Sequence, residues 1–324
     1  MKAVVCRKFG PPESLEIAEL DDPVPGPGEI LVGVRAAAIT FPDALMIEDK
    51  YQFKPKPPFV PGGDVAGVVE AVGEGVDGFA VGDRVTAALG LVGGFAERAV
   101  VGAGAARRLD EKVGFAEATG LLYAYGTGCY GLKHRGDLRP GETLLILGAS
   151  GALGMAAIEL GKLYGARVIA AAGSEAKLAL CRERGADETI DYEREDLKER
   201  AKALTDGRGV DVVYDCVGGD HAEAALRAVA WKGRFLVIGF TAGIPKIPLN
   251  LALLKGCQIV GVFLGAMTGK EPALRDEIER ELLGELAAGR LRPHVSRRYA
   301  LEEAPRALRD MLERKVVGKI VVEP

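Results

Sequence analysis

The sequence predicts an α/β protein in which a doubly wound parallel sheet is joined to a smaller, β-rich barrel. The N-terminal third is rich in β-branched and apolar runs separated by Gly and Pro. From Glu142 onward, short apolar runs alternate with helical stretches. At Gly148–Gly154 a glycine-rich turn follows an apolar strand and opens a helix. These three observations predict two domains, one formed by residues 1–118 and 266–324 and the other by residues 119–265.

The first domain is expected to be an antiparallel barrel. Its predicted strands are apolar or alternating runs bounded by turn residues, namely Met1–Arg7, Glu29–Ala38, Val65–Val72 and Gly78–Val85. The segment Asp21–Gly28 holds three prolines and two glycines, which predicts a turn-forming linker. The last strand, Lys319–Val322, is short, apolar and isolated, so we expect it to return to this domain.

The second domain is expected to be a parallel sheet with helices on both faces. Thr143–Leu147 is a continuous apolar run, as a strand covered on both faces requires. The strands predicted after it are Arg167–Ala172, Thr189–Asp191, Val210–Asp215, Gly233–Gly239 and Gln258–Phe263. The helices predicted with these strands are Ala116–Leu132, Gly151–Tyr164, Ser174–Arg184, Asp196–Leu204 and Ala222–Ala230. Two more helices, Pro272–Ala288 and Leu301–Arg314, are predicted in the C-terminal tail, which belongs to the first domain. Right-handed crossovers between such units give a doubly wound sheet.

Composition and charge argue against several classes of protein. The 42 Lys and Arg against 46 Asp and Glu give a net charge of −4, which does not favour binding to nucleic acid or to an acidic membrane. No apolar stretch is long enough to span a bilayer and no secretory signal is visible, so we expect a cytoplasmic protein. The five cysteines and three histidines are scattered, which predicts neither a disulfide framework nor a protein-bound metal.

The glycine-rich turn predicts a dinucleotide site. Gly148 would allow the tight turn, Gly151 the approach of a pyrophosphate, and Gly154 the close packing of helix on sheet. The spacing is G-x-x-G-x-x-G, which is less specific than G-x-G-x-x-G, and a purely structural turn is the alternative. The backbone N–H groups that would face the pyrophosphate are those of Ser150, Gly151, Ala152 and Leu153.

The end of the second strand favours NADPH over NADH. An NAD site places an acidic residue there to hold the ribose 2′-hydroxyl, and this strand ends without one. Beyond Gly173, Ser174 can donate a hydrogen bond to a 2′-phosphate and Lys177 can neutralise it. Glu175 lies between them and is expected to point away.

Five segments stand out beside the glycine turn, namely Pro61–Val69, Val81–Val85, Leu138–Glu142, Gly173–Lys177 and Gly318–Val322. Together with that turn they resemble the zinc-independent quinone oxidoreductase (zeta-crystallin-like) branch of the medium-chain dehydrogenase/reductase superfamily. The resemblance covers nearly the whole chain and implies a Rossmann domain and a GroES-like domain.

Departures from the zinc enzymes of that superfamily imply a reaction without zinc. Those enzymes carry a cysteine ligand early in the chain and a His-Glu pair after a Pro-Gly. By this resemblance, Thr40 stands at the position of the cysteine ligand and Gly63-Asp64 at the position of the His-Glu pair. The four-cysteine structural lobe of the zinc enzymes has no counterpart in this chain. Quinones and activated carbon–carbon double bonds need no metal Lewis acid, because their own carbonyls take up the developing charge.

The resemblance also implies cofactor contacts beyond the turn. Thr127 is similar to the threonine that holds the nicotinamide end, and Tyr192 to an aromatic residue near the adenosine phosphate. Gly239, Phe240 and Phe263 follow the last two strands at the cofactor edge. For Tyr192 and Phe263, a loop aromatic and a core residue are the structural alternatives.

The substrate is expected between the domains, over the nicotinamide. The segment Ile39–Tyr51 resembles the family stretch that lines this cleft, where many quinone reductases have asparagine near Thr40. Tyr51 is the main polar candidate, because in related enoyl-thioester reductases a tyrosine in this place is thought to orient or protonate the substrate. A rim aromatic that stacks on quinone rings is the alternative. Asp43 is expected to cap the following helix.

Three functions remain open. The leading hypothesis is an NADPH-dependent quinone oxidoreductase that transfers hydride directly and takes its proton from water or Tyr51. The second is an enoyl-thioester or enone reductase, whose entrance Lys50, Lys54 and Lys56 would make basic. The third is a non-catalytic NADPH-binding protein. We also expect a homodimer joined at the apolar strand Gly256–Phe263.

Overall fold

The computed structural model describes all 324 residues, which form two compact units. Unit 1 comprises Met1–Tyr123 and Pro293–Pro324, and unit 2 comprises Ala124–Arg292. This division differs from the predicted domain limits chiefly at residues 266–292, which belong to unit 2. Polar contacts join this segment to unit 2, because the Glu281 carboxylate binds the Lys133 ammonium at 2.6 Å and the Tyr164 hydroxyl at 3.1 Å.

Fifteen strands form the sheets. They are β1 (Lys2–Val5), β2 (Glu16–Glu19), β3 (Glu29–Ile39), β4 (Asp64–Val72), β5 (Arg84–Ala88), β6 (Arg98–Gly102), β7 (Ala106–Arg108), β8 (Thr143–Leu147), β9 (Arg167–Ala172), β10 (Glu188–Asp191), β11 (Val210–Asp215), β12 (Val229–Val237), β13 (Gln258–Gly261), β14 (Val295–Ala300) and β15 (Lys319–Glu323).

Eleven α-helices complete the framework, and short 3-10 turns lie at Pro12–Ser14, Ala103–Ala105 and Leu301–Glu303. They are α1 (Phe41–Ile47), α2 (Phe115–Ala118), α3 (Gly126–Cys129), α4 (Ala152–Leu163), α5 (Glu175–Glu183), α6 (Leu197–Ala203), α7 (His221–Ala228), α8 (Asn250–Lys255), α9 (Leu264–Lys270), α10 (Pro272–Ala287) and α11 (Ala304–Leu312). No helix is long and apolar enough to cross a membrane.

Unit 1 is built around the long strand β3. The main sheet runs β14-β15-β3-β4-β5-β7, β6 also pairs with β3, and β1 pairs separately with β2. The C-terminal strand β15 pairs antiparallel with β3, which confirms the predicted return of the chain to this unit. The apolar core includes Ile30, Val32, Val65 and Phe95, all nearly inaccessible to solvent. The end of β3 leads into α1, where the predicted substrate-contacting residues lie.

Unit 2 confirms the predicted doubly wound parallel sheet. Its six strands are all parallel, in the order β10-β9-β8-β11-β12-β13. All five residues of the central strand β8 are buried, as its continuous apolar run predicted. The strand order reverses between β8 and β11, and in open α/β sheets ligands bind at the carboxyl ends of strands at such a point.

The region predicted as one helix over Ala116–Leu132 is instead broken. Helix α2 ends at Ala118, and α3 is flanked by π-helical turns at Leu121–Tyr125 and Tyr130–Arg135. Gly128 lies close to a neighbouring helix, since a β-carbon there would lie 2.6 Å from Cδ1 of Leu160. Glycine weakens a regular helix, and here it allows that close packing.

Candidate active site

The turn between β8 and α4 has the geometry of an anion cradle. Gly148 has φ +66°, a left-handed conformation that favours glycine. A β-carbon on Gly154 would lie 2.4 Å from the carbonyl oxygen of Gly148, so the helix approaches the turn more closely than any side chain permits. Gly151 occupies the N-cap position of α4, and its backbone is extended. The positive end of a twelve-residue helix therefore starts directly beside the turn.

The predicted pyrophosphate-binding groups lie at this helix start. Ser150 is buried just before the N-cap, while Ala152 and Leu153 are the first two helical residues and are partly exposed. No side chain caps the helix, and the N–H groups of its first turn have no intrahelical acceptor. Such groups fit a phosphate, so the turn fits the pyrophosphate of a dinucleotide.

The other predicted cofactor residues gather at the same edge of unit 2. Gly173 and Ser174 follow β9, and Tyr192 follows β10. Because the carboxyl ends of parallel strands share one edge of the sheet, these positions adjoin the glycine turn. The remaining positions on this edge follow β12 and β13, namely Gly239, Phe240 and Phe263.

Beside Gly173 and Tyr192 lie two residues that the sequence analysis did not single out as cofactor contacts. Glu193 packs on Gly173, where a β-carbon would lie 3.2 Å from both Cγ of Glu193 and Cε2 of Tyr192. His221 packs against Tyr192, with the two ring centroids 4.3 Å apart. Glu193 directly follows Tyr192 in the chain, and this adjacency could have identified it from the sequence. The contact of Tyr192 with His221 joins distant parts of the chain, so no sequence pattern indicated it.

The groups proposed for a 2′-phosphate stand in order on α5. Ser174 is the N-cap residue, and its side chain makes no capping hydrogen bond. Lys177 lies in the first turn, is partly exposed and forms no ion pair. Glu175 is exposed and its carboxylate binds Arg182, so its charge is compensated within the helix. This end of the site thus offers a hydroxyl and one cation, with Glu193 as the neighbouring anion.

The loops after β11 and β12 are held by hydrogen bonds to Asp215. Asp215, the last residue of β11, accepts hydrogen bonds from the amides of Val217 and Gly218 at 2.8 and 2.9 Å. Burial raises the pKa of Asp215, and these two hydrogen bonds oppose the shift. The amide of Gly239 donates to the Asp215 carbonyl at 3.2 Å. The Asp215 carboxylate therefore holds the loop after β11, and its backbone carbonyl holds the loop after β12.

Three further residues predicted to contact the cofactor lie in α3 and after β12 and β13, namely Thr127, Phe240 and Phe263. Thr127 is buried in α3, next to Gly126, where a β-carbon would lie 3.4 Å from Cδ2 of Leu264. Leu264 directly follows Phe263, so α3 adjoins the end of β13. Phe240 and Phe263 are both substantially exposed, which leaves their rings free to contact a ligand.

In unit 1, Thr40 and Asp43 form one polar pair at the start of α1. The Thr40 amide and the Thr40 hydroxyl both donate to Oδ2 of Asp43 at 2.7 Å. Asp43 is the third residue of α1, so its carboxylate closes the first turn, as its predicted capping role requires. Asp43 is fully buried, whereas Thr40 is partly exposed.

The Asp43 carboxylate is held in an apolar environment. Burial raises its pKa to about 7, against the opposing effect of the Thr40 hydrogen bonds and of the Gly62 amide. Its second oxygen, Oδ1, is buried and has no hydrogen bond of normal geometry. Tyr51 is half-buried, and both burial and the nearby Asp43 charge raise its pKa. Asp43 therefore links the other two residues, because it accepts hydrogen bonds from Thr40 and its charge acts on Tyr51.

The residues at the zinc-ligand positions of the superfamily do not fit zinc. Gly63 has no side chain, and a β-carbon there would lie 2.8 Å from the Gly90 carbonyl oxygen. The Thr40 hydroxyl is already bound to Asp43. Zinc sites of proteins use cysteine, histidine and carboxylate ligands, and here only Asp64 is of such a type.

The lysines expected at a basic entrance are largely compensated. Lys50 pairs with Glu48 at 2.5 Å, and Lys54 pairs with Asp49 at 3.0 Å. Lys56 is exposed. Exposed pairs of this kind reduce the local positive charge that a thioester carrying phosphates would need.

Comparison with known proteins matches both halves of the chain. Residues 26–111 match the alcohol dehydrogenase GroES-like domain, and residues 152–280 match the zinc-binding dehydrogenase family. A quinone oxidoreductase-like protein 2 homolog of Nematostella vectensis is 39% identical over 99% of this chain and 88% of its own. A quinone oxidoreductase of Pseudomonas aeruginosa is 34% identical over 100% of this chain and 99% of its own.

A solved structure agrees over the full length. The Escherichia coli quinone oxidoreductase, crystallised in complex with NADPH, has a TM-score of 0.90 and 28% identity, with 100% of both chains covered. The likeness therefore extends to both units and to the fold that holds a nicotinamide cofactor in that protein.

Proposed function

Because the chain belongs to the quinone oxidoreductase branch of the medium-chain dehydrogenase/reductase superfamily, we propose that it reduces a quinone with NADPH and without zinc. The family assignment makes it an oxidoreductase that uses a nicotinamide cofactor and a small-molecule substrate. The observation that carries the proposal is the anion cradle at Gly148–Gly154, at the strand-order reversal of unit 2.

The cofactor supplies a hydride when bound. The chain's residues hold and orient it: the amides of Ala152 and Leu153 would bind the pyrophosphate, and Tyr192 would lie against the adenosine. Ser174 and Lys177 would bind the 2′-phosphate that distinguishes NADPH. Four residues would hold the nicotinamide end, namely Thr127, Gly239, Phe240 and Phe263.

The choice of a quinone follows from the donors at the substrate-contacting stretch. Without a metal ligand set, the acceptor must carry its own electron-withdrawing carbonyls. The Thr40 hydroxyl and the Tyr51 phenol are the polar groups of Ile39–Tyr51 that could meet a carbonyl oxygen. Tyr51 also presents an aromatic ring on which a quinone could stack.

An enone or enoyl-thioester reductase is the second candidate. Tyr51 favours it, since reduction of a carbon–carbon double bond needs a group to stabilise the developing enolate. The pairing of Lys50 and Lys54 with acids weakens the case for a thioester that carries phosphates.

We also propose a homodimer joined along β13. This strand pairs only with β12, so its outer edge is open. Just before β13 in the chain, Leu253 and Leu254 on α8 are 80% and 68% exposed. Trp231, 68% exposed, packs against Gly256 between α8 and β13. Apolar surface of this kind beside an open edge is suited to burial by a second copy.

The test is turnover by the purified protein with NADPH and a panel of acceptors. We expect phenanthrenequinone to be reduced faster than a medium-chain enoyl-CoA, and NADPH to be preferred over NADH. The variant Lys112→Ala, at an exposed site in unit 1, is the surface-charge control. Faster reduction of the enoyl-CoA would replace the quinone by the second candidate substrate.

A further inference from the structure

We propose that the Asp43–Thr40 pair is the proton source of the reaction, with Thr40 as the catalytic residue and Asp43 as the buried reservoir behind it. This inference rests on the proposed function and names the group that completes it. Tyr51 then serves to orient the acceptor.

The geometry is that of a two-step relay. The Thr40 hydroxyl donates to Oδ2 of Asp43 at 2.7 Å. When Asp43 is protonated at Oδ2, the same contact lets the carboxyl donate to the Thr40 oxygen, which leaves the Thr40 hydroxyl proton available to an acceptor. Thr40 is partly exposed at the end of β3, whereas Asp43 is completely buried. The relay therefore assigns the exchange of a proton between Asp43 and an acceptor or water to the Thr40 hydroxyl.

Helix capping explains the role of only one of the two oxygens of the Asp43 carboxyl group. A capping residue at the third helical position needs one acceptor oxygen, and here Oδ2 alone accepts both Thr40 bonds. Oδ1 remains buried without a hydrogen bond of normal geometry. An ionised carboxylate in that setting costs much more free energy than a protonated one. The fold thus keeps a carboxyl group that gains and loses its proton near neutral pH.

The charged surroundings leave Asp43 without a compensating cation. Tyr51 is coupled to it, and the Gly62 amide faces it. Helix α11 packs against α1, but its charged side chains are engaged elsewhere: Arg306 with Glu303, Arg309 with Glu13, and Asp310 with Tyr299. Burial therefore governs the titration of Asp43.

The chemistry balances as follows. The quinone gains a hydride, with its two electrons, from the reduced nicotinamide, and one of its oxygens becomes an oxyanion. That oxygen takes the Thr40 hydroxyl proton, and Thr40 takes the proton of the Asp43 carboxyl. The products are the hydroquinone, the oxidised nicotinamide and an Asp43 carboxylate. After the hydroquinone leaves, water returns a proton to Asp43 through Thr40.

Three variants separate this relay from a structural role. Asp43→Asn keeps an acceptor oxygen for the Thr40 amide but carries no transferable proton. Thr40→Val removes the hydroxyl, and Thr40→Ser restores it. Thermal melting and NADPH binding by fluorescence serve as folding controls, because the proposed cofactor-binding residues lie in unit 2.

The first readout needs no turnover. In protein labelled with ¹³C at the aspartate carboxyl carbons, the signal lost in Asp43→Asn identifies Asp43. We expect that signal to titrate at about pH 7. A carboxyl that is already ionised at pH 5 would overturn the relay.

The second readout is the pH profile of kcat with phenanthrenequinone and with a simple cyclic enone. We expect wild-type kcat to fall as pH rises through about 7 and Thr40→Ser to keep that fall. Asp43→Asn and Thr40→Val should lose it, with kcat for the enone lowered about 100-fold.

The outcomes distinguish the two proposals. A wild-type protein that is active, with an unchanged pH profile in Asp43→Asn, overturns the relay alone. Strong loss in Tyr51→Phe with no loss in Thr40→Val also overturns it, because Tyr51 is then the donor. A wild-type protein that reduces no acceptor with NADPH overturns the proposed function and the relay with it.

Discussion

A β-carbon on Gly154 would lie 2.4 Å from the carbonyl oxygen of Gly148 and 2.5 Å from Cα of Ala149. Helix α4 and the turn before it are therefore in backbone contact. This contact positions the first-turn amides beside the space proposed for the pyrophosphate.

Gly154→Ala should force the turn and the helix apart. We expect a destabilisation of about 1–3 kcal/mol in chemical denaturation and a markedly higher Kd for NADPH. Gly284→Ala is the matched control, because Gly284 lies inside α10 and a β-carbon there meets nothing within 4 Å. That control should gain up to about 1 kcal/mol from helix propensity and bind NADPH unchanged. Equal affinity in both variants would show that the turn does not hold the cofactor.

Lys177→Ala should raise the KM for NADPH much more than the KM for NADH. The reason is that Lys177 is the cation next to Ser174 in the first turn of α5 and forms no ion pair with an acid of the chain. Initial-rate kinetics with both cofactors measure the effect, and Lys112→Ala serves as control. Equal changes for the two cofactors would refute a 2′-phosphate contact at Lys177.

Glu193→Gln should have the opposite effect and lower the KM for NADPH. The Glu193 side chain packs on Gly173, so its charge lies close to the place proposed for the 2′-phosphate. Glu175→Gln is the comparison, since Glu175 is already paired with Arg182. If Glu193→Gln leaves the ratio of the two KM values unchanged, Glu193 does not face the phosphate.

As the pH rises from about 4 to about 7, Asp43 should lower the free energy of unfolding of the wild type. Its pKa is 3.8 in the unfolded chain and rises to about 7 on folding, so within that window the folded state holds a proton that the unfolded state has lost. Below the window both states are protonated, and above it both are ionised. The loss amounts to at most about 4 kcal/mol. Denaturation of wild type and Asp43→Asn across this range measures it, and parallel curves would contradict the assignment.

Leu253→Glu should weaken the proposed dimer. A charge on the apolar surface of α8 would be buried against the second copy at high cost. Light scattering should then report a monomer of about 34.1 kDa in place of a dimer. Val24→Glu, at a site 85% exposed in unit 1, is the control. A wild-type protein that is already monomeric would end this proposal.

Local patterns predicted much of this fold. The run Thr143–Leu147 and the glycines at 148, 151 and 154 lie within one strand–turn–helix unit, so their spacing alone indicated the cradle. The capping role of Asp43 was also local, because its partner Thr40 is three residues away. The parallel strands could also be predicted, because each is a short apolar run that is local in the sequence.

Contacts between distant segments could not be predicted in this way. The burial of Asp43, and with it the raised pKa, depends on the packing of unit 1 around α1. The bond between Tyr164 and Glu281 spans 117 residues and ties α10 to unit 2. The packing of His221 on Tyr192 likewise depends on how two strand–helix units meet.

The most direct test of the central claim is an anaerobic reaction of the purified protein with phenanthrenequinone and NADPH deuterated at C4 of the nicotinamide, with a zinc chelator present. We expect one hydroquinone for each NADPH consumed, a slower rate with the deuterated cofactor, and no effect of the chelator. A protein that leaves the quinone unreduced while it reduces an enoyl-CoA, or that loses its activity with the chelator, would contradict a zinc-free NADPH:quinone oxidoreductase.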